Sequence, residues 1–136
     1  MDFLKSIAIA ASGLRAQAGR MRVISENIAN ADSTAQGPGQ DPFRRKVATF
    51  RAEMDRALDA RTVALGRVRT DPSDFRLRYE PGHPSADANG NVKYPNVNTM
   101  IEMNDMREAQ RSYESNINVI GATRRMIQRT LDILKV

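Results

Sequence analysis

The sequence predicts a mainly α fold: two long terminal helices pair as an antiparallel, coiled-coil-like hairpin around a small irregular and β-rich middle segment. Three observations lead there. Apolar residues recur every seven positions near each end of the chain, all six prolines lie between residues 38 and 95, and glycine and aspartate cluster among those prolines. A seven-residue spacing lays side chains along one face of a helix, whereas proline removes a helical hydrogen bond and clashes with the preceding turn. The chain therefore divides into a helix and turn over 1–34, a loop and short-strand segment over 35–97, and a second helix over 98–136. At 136 residues these parts form one structural unit.

In the first segment Ile7, Leu14, Met21 and Ile28 form one row, and Leu4, Ala11, Ala18 and Ser25 form the alternate row. The pattern predicts a helix over 3–30, about 40 Å long at ~1.5 Å per residue. Gly13 and Gly19 each cost it about 1 kcal/mol relative to alanine, so the helix depends on packing, and both permit close approach of a second backbone.

The last segment repeats the arrangement with Met106, Tyr113, Ile120, Ile127 and Leu134. Met103, Ile117 and Leu131 fill the alternate row, which Gln110 and Arg124 interrupt. Thr99 and Glu102 have the spacing of a capping box, placing the helix start near 99 or 100. Glu102, Asp105 and Glu108 early in the helix and Arg124, Arg125, Arg129 and Lys135 late in it complement the helix dipole.

Between the helices, residues 35–42 (AQGPGQDP) read as a loop and 43–50 as a short strand. Residues 51–60 (RAEMDRALDA) read as a brief helical turn. Two further strands are expected over 62–69 and 75–79, and Asn89-Gly90 ahead of VKY signals a hairpin turn.

Composition narrows the function. There is no cysteine, hence no disulfide, thiolate metal site or cysteine nucleophile. His83 is the sole histidine. Ser85 and Asp87 stand near it, but alternate positions on a Pro/Gly-rich loop do not orient a triad, and GPGQDP lacks the Lys-Ser/Thr of a phosphate-binding loop. No active site, cofactor, metal or small-molecule substrate is indicated. The formal charge of +5 invites a second reading, a basic coiled-coil nucleic-acid-binding protein. However, the 21 basic residues are spread along the chain among 16 acidic ones, with seven aromatic residues and no tryptophan for stacking. That spread argues against a nucleic-acid partner. Ile7 to Ala11 is shorter than the apolar core of an export signal, so if the protein leaves the cytoplasm it is expected to do so without a cleaved signal peptide.

A helix pair covers one face of each member, and Phe3, Ile24, Met100 and Ile101 fall off both seams. The expected remedy is other subunits, and a head-to-tail contact that does not close yields a helical filament. The candidate assembly interface comprises Leu4, Ile7, Leu14, Met21, Ile28, Met106, Tyr113, Ile117, Ile120, Ile127, Leu131 and Leu134. The stretch SENIANADST raises a separate question. Asn30 suits a helix C-terminus in a left-handed conformation. Asn27, one turn earlier, suits an interface in which a desolvated amide fixes register.

The stretch SGLRAQAGRMRVISENIANADST resembles the N-terminal signature of the bacterial flagellar rod and hook axial proteins. YEPGHPSADANGNVKYPNVN is similar to the central signature of the proximal-rod members of that family, and 100–136 resembles their C-terminal helix. The likeness spans essentially the whole chain. It implies a structural subunit of the basal-body rod, the drive shaft that crosses the periplasm and transmits torque from motor to hook. It further implies passage through the flagellar type III export apparatus and partners among copies of itself, other rod proteins and basal-body components near the MS ring and export gate. Ser25, Asn27, Ile28, Ala29, Asn30 and Ala31 fall on the shared motif, where Asn27 and Asn30 would support the turn after the first helix and its contacts between subunits. Asp32-Ser33-Thr34 and the following AQGPGQDPF depart from the usual Asn-Thr and Pro-Gly-Tyr pattern of axial proteins.

Overall fold

A computed structural model describes residues 2–135. Its elements run α1 (Phe3–Ala29), β1 (Lys46–Val47), β2 (Phe50–Asp55), β3 (Ala60–Leu65), β4 (Arg69–Thr70), β5 (Arg76–Tyr79), β6 (Asn91–Tyr94) and α2 (Thr99–Leu134). The strands form three two-stranded antiparallel sheets, β1 with β4, β2 with β3 and β5 with β6. The two long helices, in contact and antiparallel, and the small β-rich middle are the architecture that the heptads and prolines predict.

Each helix end has a stated cause. Asp2 begins α1, its Oδ1 accepting from the backbone N–H groups of Leu4 (3.1 Å) and Lys5 (3.2 Å). At the other end Asn30 does not turn left-handed, because Asp59 is the only non-glycine at positive φ among the described residues. Instead its Nδ2 donates to the Glu26 carbonyl (2.9 Å), satisfying a terminal acceptor by side chain. The start of α2 also differs from the expected capping box. Asn98 is the cap, accepting through Oδ1 from Met100 N–H (3.1 Å), and the Glu102 carboxylate points elsewhere. The last turn of α2 carries no basic residue; Arg129 lies a turn earlier.

The chain forms two compact units, each drawing on pieces of all three sequence segments: Met1–Met21 with Ala48–Arg67 and Arg107–Val136, and Arg22–Val47 with Val68–Met106. In the first, the β2–β3 hairpin lies against α1. Val63 N–H donates to Ser12 Oγ (3.2 Å), and a methyl group on Gly19 would stand 2.8 Å from Leu65 Cδ2. A methyl on Gly13 would stand 2.8 Å from Asn116 Oδ1, so at both glycines a neighbouring side chain packs directly onto the α1 backbone. Residues 51–60 are strand and turn rather than a helical turn. Phe50, Ala52 and Met54 alternate along one face of β2, Asp55 Oδ1 accepts from Ala57 (3.0 Å) and Leu58 (3.3 Å), and Asp59 takes φ 47°. An Asx turn followed by a left-handed residue reverses the chain where a helix would have continued it.

The second unit holds the larger side chains of the core, with Val23, Ile24, Val92, Tyr94 and Val97 all buried. Its β5–β6 hairpin turns where Asn89-Gly90 predicts: Gly90 has φ 79°, and Asp87 accepts from Asn89 and Asn91 N–H (both 2.9 Å).

Candidate functional site: helix seam and assembly surface

Side-chain burial shows which rows of each helix face inward. On α2, Glu102, Ala109 and Thr123 are buried and Asn116 is half-buried; they lie seven apart and alternate with half-buried Met106, Tyr113, Ile120 and Ile127. The inner alternate row is therefore Glu102, Ala109, Asn116 and Thr123, not the expected Met103, Ile117 and Leu131, which are exposed. The physical reason is distance. At close helix approach small and hydrogen-bonding residues fit between the backbones, and a row chosen by counting large apolar side chains lands one position off.

The same displacement occurs on α1. Arg20 meets Glu108 (3.3 Å), Gly13 lies against Asn116 and Asn27 bonds Glu102, so Gly13, Arg20 and Asn27 face α2. Ile7, Leu14, Met21 and Ile28 are half-buried on the shoulder of that contact, while Leu4, Ala18 and Ser25 of the alternate row are exposed.

In the first unit the helices do not end level. With Gly13 beside Asn116 and Arg20 beside Glu108, Phe3 falls opposite Met126, so the turns from Ile127 to Leu134 run past the start of α1. That is about 12 Å at ~1.5 Å per residue. Every residue from Gln128 to Lys135 is exposed, Leu131 at 47% and Leu134 at 76%. Leu4 (70%) and Ile117 (46%) are open as well. Isolated exposed apolar residues are ordinary, but Leu131, Ile133 and Leu134 together leave a cluster of open apolar area at this tip.

The motif at the end of α1 has a definite internal structure. Asn27 is 1% exposed and pairs twice with the backbone of β1: Nδ2 donates to the Lys46 carbonyl (2.8 Å), and Lys46 N–H donates to Oδ1 (2.9 Å). The same Nδ2 donates to Glu102 Oε2 (3.1 Å). Asn27 thus finds partners within the chain, in β1 and in the first turn of α2. Glu102, also 1% exposed, accepts through its other oxygen from Arg45 Nε, and Arg45 reaches Asp71 (3.5 Å) and Asp105 (3.7 Å). Burial works against the Arg45 charge, but Glu102 and then Asp71 outweigh it and raise the guanidinium pKa. Asp71 is held below the usual carboxylate range, first by the backbone and hydroxyl of Ser73 and then by Arg45. Ala31 is buried and its carbonyl accepts from Arg76 (2.8 Å); Ile28 is half-buried, and Ser25 and Ala29 are exposed.

Among the middle-segment residues considered for chemistry, Ser85 donates its hydroxyl to the Ala35 carbonyl and His83 Nδ1 accepts from Ser85 N–H (3.0 Å). These groups pin loops together. Among the described residues no His/Cys/Asp/Glu cluster could hold a metal ion, and no helix is long and apolar enough to cross a membrane.

Comparison with known proteins identifies the family of this helix pair. Residues 7–35 match the family described as "Flagella basal body rod protein", and 88–133 match "Flagellar basal body rod FlgEFG protein C-terminal". Over 136 residues the chain is 52% identical to the flagellar basal-body rod protein FlgC of Agrobacterium fabrum, covering 99% of this chain and 98% of that one. It is 39% identical to the FlgC of Salmonella typhimurium (98% of each chain) and 36% identical to that of Bacillus subtilis (99% of this chain, 100% of the other). The chain belongs to the FlgC family of flagellar basal-body rod proteins, a structural and non-enzymatic family.

Proposed function

We propose that this chain is a structural subunit of the proximal rod, assembling through its terminal helices into the helical shaft that carries torque across the periplasm from motor to hook. Its partners are copies of itself, other rod proteins and basal-body components near the MS ring and export gate. It reaches the growing rod through the flagellar type III export apparatus without a cleaved signal. The observation carrying this reading is the open apolar surface of the first unit, at Leu4, Ile117, Leu131 and Leu134, in a chain that matches rod proteins along its whole length. The half-buried Ile7, Leu14, Met21, Tyr113, Ile120 and Ile127 of the same unit, and Ile28 and Met106 of the other, contribute their remaining exposed area to neighbours.

Burial of apolar area at about 25 cal/mol per Å² supplies the association energy, less the cost of ordering. Repetition along a filament makes weak pairwise contacts stiff in sum. Replacing Leu4 and Leu134 together by aspartate tests the assignment. The variant should be produced at normal levels with an unchanged helical circular-dichroism spectrum, yet cells carrying it should fail to build rods and to swim. Normal swimming would refute the surface.

A further inference from the structure

The β2–β3 hairpin has one covered margin and one open one. On the β3 side Val63 N–H leaves the ladder and donates to Ser12 Oγ of α1 (3.2 Å), and Leu65 packs over Gly19, so α1 occupies that margin. Val63 stands opposite Ala52. Because the Val63 N–H points away from β2, the two form a non-hydrogen-bonded pair, and the backbone N–H and C=O of Ala52 point outward from the other margin. Those of Phe50 and Met54, two places to either side, do the same. Among the described residues β3 is the only strand paired with β2, no turn or loop bond reaches those outward groups, and every residue from Phe50 to Met54 is exposed. The edge has neither proline nor bulge, the usual devices that keep a second strand away.

The edge is complementary to itself when reversed. Laid antiparallel on a second copy about Ala52, the strand FRAEM sets Phe50 of each copy opposite Met54 of the other, Arg51 opposite Glu53, and Ala52 opposite Ala52. The outward residues then exchange two backbone hydrogen bonds at each of their pairs, and Phe50 meets the Met54 thioether in a sulfur–aromatic contact. Arg51 and Glu53 already pair on one face within the strand, and across the joint each gains a second opposite charge. A slip of two residues either way, the smallest that keeps the same groups facing, sets Arg51 against Arg51 or Glu53 against Glu53. Like charges directly opposite destabilise a strand pair, so the edge accepts its own sequence in one alignment.

We propose that two copies of the free chain join through their β2 edges about a two-fold axis at Ala52, making a continuous antiparallel sheet in the order β3–β2–β2–β3. The contact closes on itself, because both outer margins of that sheet are β3 edges already covered by α1. It differs from the head-to-tail contacts of a filament and does not rest on the rod assignment. In the unassembled subunit it covers an edge that would otherwise template indiscriminate strand addition. Backbone bonds supply the attraction, and the exposed charges, each weak, select the alignment.

Because the chain has no cysteine, a single engineered thiol reports the joint without background. Opposed hydrogen-bonded residues lie about 5.5 Å apart at Cα, within disulfide reach. Ala52→Cys in the full-length chain should therefore give a covalent dimer on mild oxidation in dilute solution, whereas Arg61→Cys, one strand away from the joint, should stay at background. Adding Arg51→Glu or Glu53→Arg to Ala52→Cys should cut the linkage about tenfold or more, since either change sets like charges opposite one another. Mixed together, the two reversed chains again present opposite charges, and the mixed dimer, identified by its mass, should form at the original level. Recovery in the mixture shows directly that neither variant has lost its fold. Linkage at Ala52 no greater than at Arg61, or indifferent to charge reversal, would overturn the proposal. So would charge dependence without recovery in the mixture, which would mean that the edge takes some other strand.

Discussion

In the unit containing residues 107–134 of α2, the buried side chains among the described residues are Ala10, Ser12, Ala16, Ala60, Ala109 and Thr123, none larger than threonine. The other unit encloses Val23, Ile24, Val92, Tyr94 and Val97, together with the charged Glu102 and the amide of Asn27. Exposed large apolar residues occur in both units: among the described residues ten lie in the first, including Leu4, Ile117, Leu131 and Leu134, and six in the second, Val68, Leu77, Tyr79, Met100, Ile101 and Met103. One unit completes its interior from its own chain, by large side chains and a satisfied polar network. The other lets its backbones approach closely over small residues and turns its large apolar groups outward. Burying large side chains stabilises a fold, whereas exposing them prepares an association; the large enclosed groups are those of the second unit, while exposed ones occur in both and are more numerous in the first.

The sharpest way to break this contrast is to injure the enclosed network. Arg45→Met leaves the Glu102 carboxylate buried beside a thioether, and loss of one partner of a buried pair costs about 3–5 kcal/mol. Hydrogen exchange should report the loss first at the backbone amides of β1 and the first turns of α2; unchanged protection there would show that the network contributes nothing to the unit.

A smaller effect is expected where the other unit depends on space. Gly13→Leu must displace the Asn116 side chain, and overpacking of this kind costs about 1–3 kcal/mol, offset by the better helix propensity of leucine. Urea denaturation followed by circular dichroism reads the difference. A more stable variant would mean that the close approach at residue 13 is dispensable.

The smallest effect is one of pH. The folded-state pKa of Asp71 is depressed, so its contribution to stability is fully present above the unfolded value of about 3.9 and is lost as pH falls through the folded value. Asp71→Asn should therefore lower stability at neutral pH and flatten the acid limb below about pH 4. An acid limb identical to that of the native chain would remove Asp71 from the network.

Much of the fold was legible in the sequence, and the reason is periodicity. Helices expected over 3–30 and 100–134 are found at Phe3–Ala29 and Thr99–Leu134, because heptads and the confinement of proline bound a helix from both sides. What periodicity does not supply is the identity of the inner row. Met103, Ile117 and Leu131 are more apolar than Glu102, Ala109, Asn116 and Thr123, and burial favours the latter only once the closeness of the two helices is known. β2 was hidden by a composition rich in alanine, glutamate and methionine, which read as helical until the Asp55 turn and Asp59 reversed the chain. In the site, Asn27 stood out as an amide near a helix end, but its partners lie 19 and 75 residues away. Glu102 was explained by local capping chemistry that Asn98 performs instead. Arg45, one of 21 basic residues, carried no local signal.

The two hydrogen bonds between the Asn27 side chain and the Lys46 backbone carry a chemical consequence. β1 is two residues long, with β4 along one side and, along the other, a single primary amide that both gives and receives as a peptide group would. A helix has lent one amino acid's worth of β-sheet to a strand too short to stand with a lone neighbour. Aspartate would keep the acceptor, lose the donor and set a second anion against Glu102, and glutamine would overshoot by a methylene. Asparagine at position 27 thus supplies both halves of the peptide-like pairing, and its amide occupies the edge of β1 that a third strand would use.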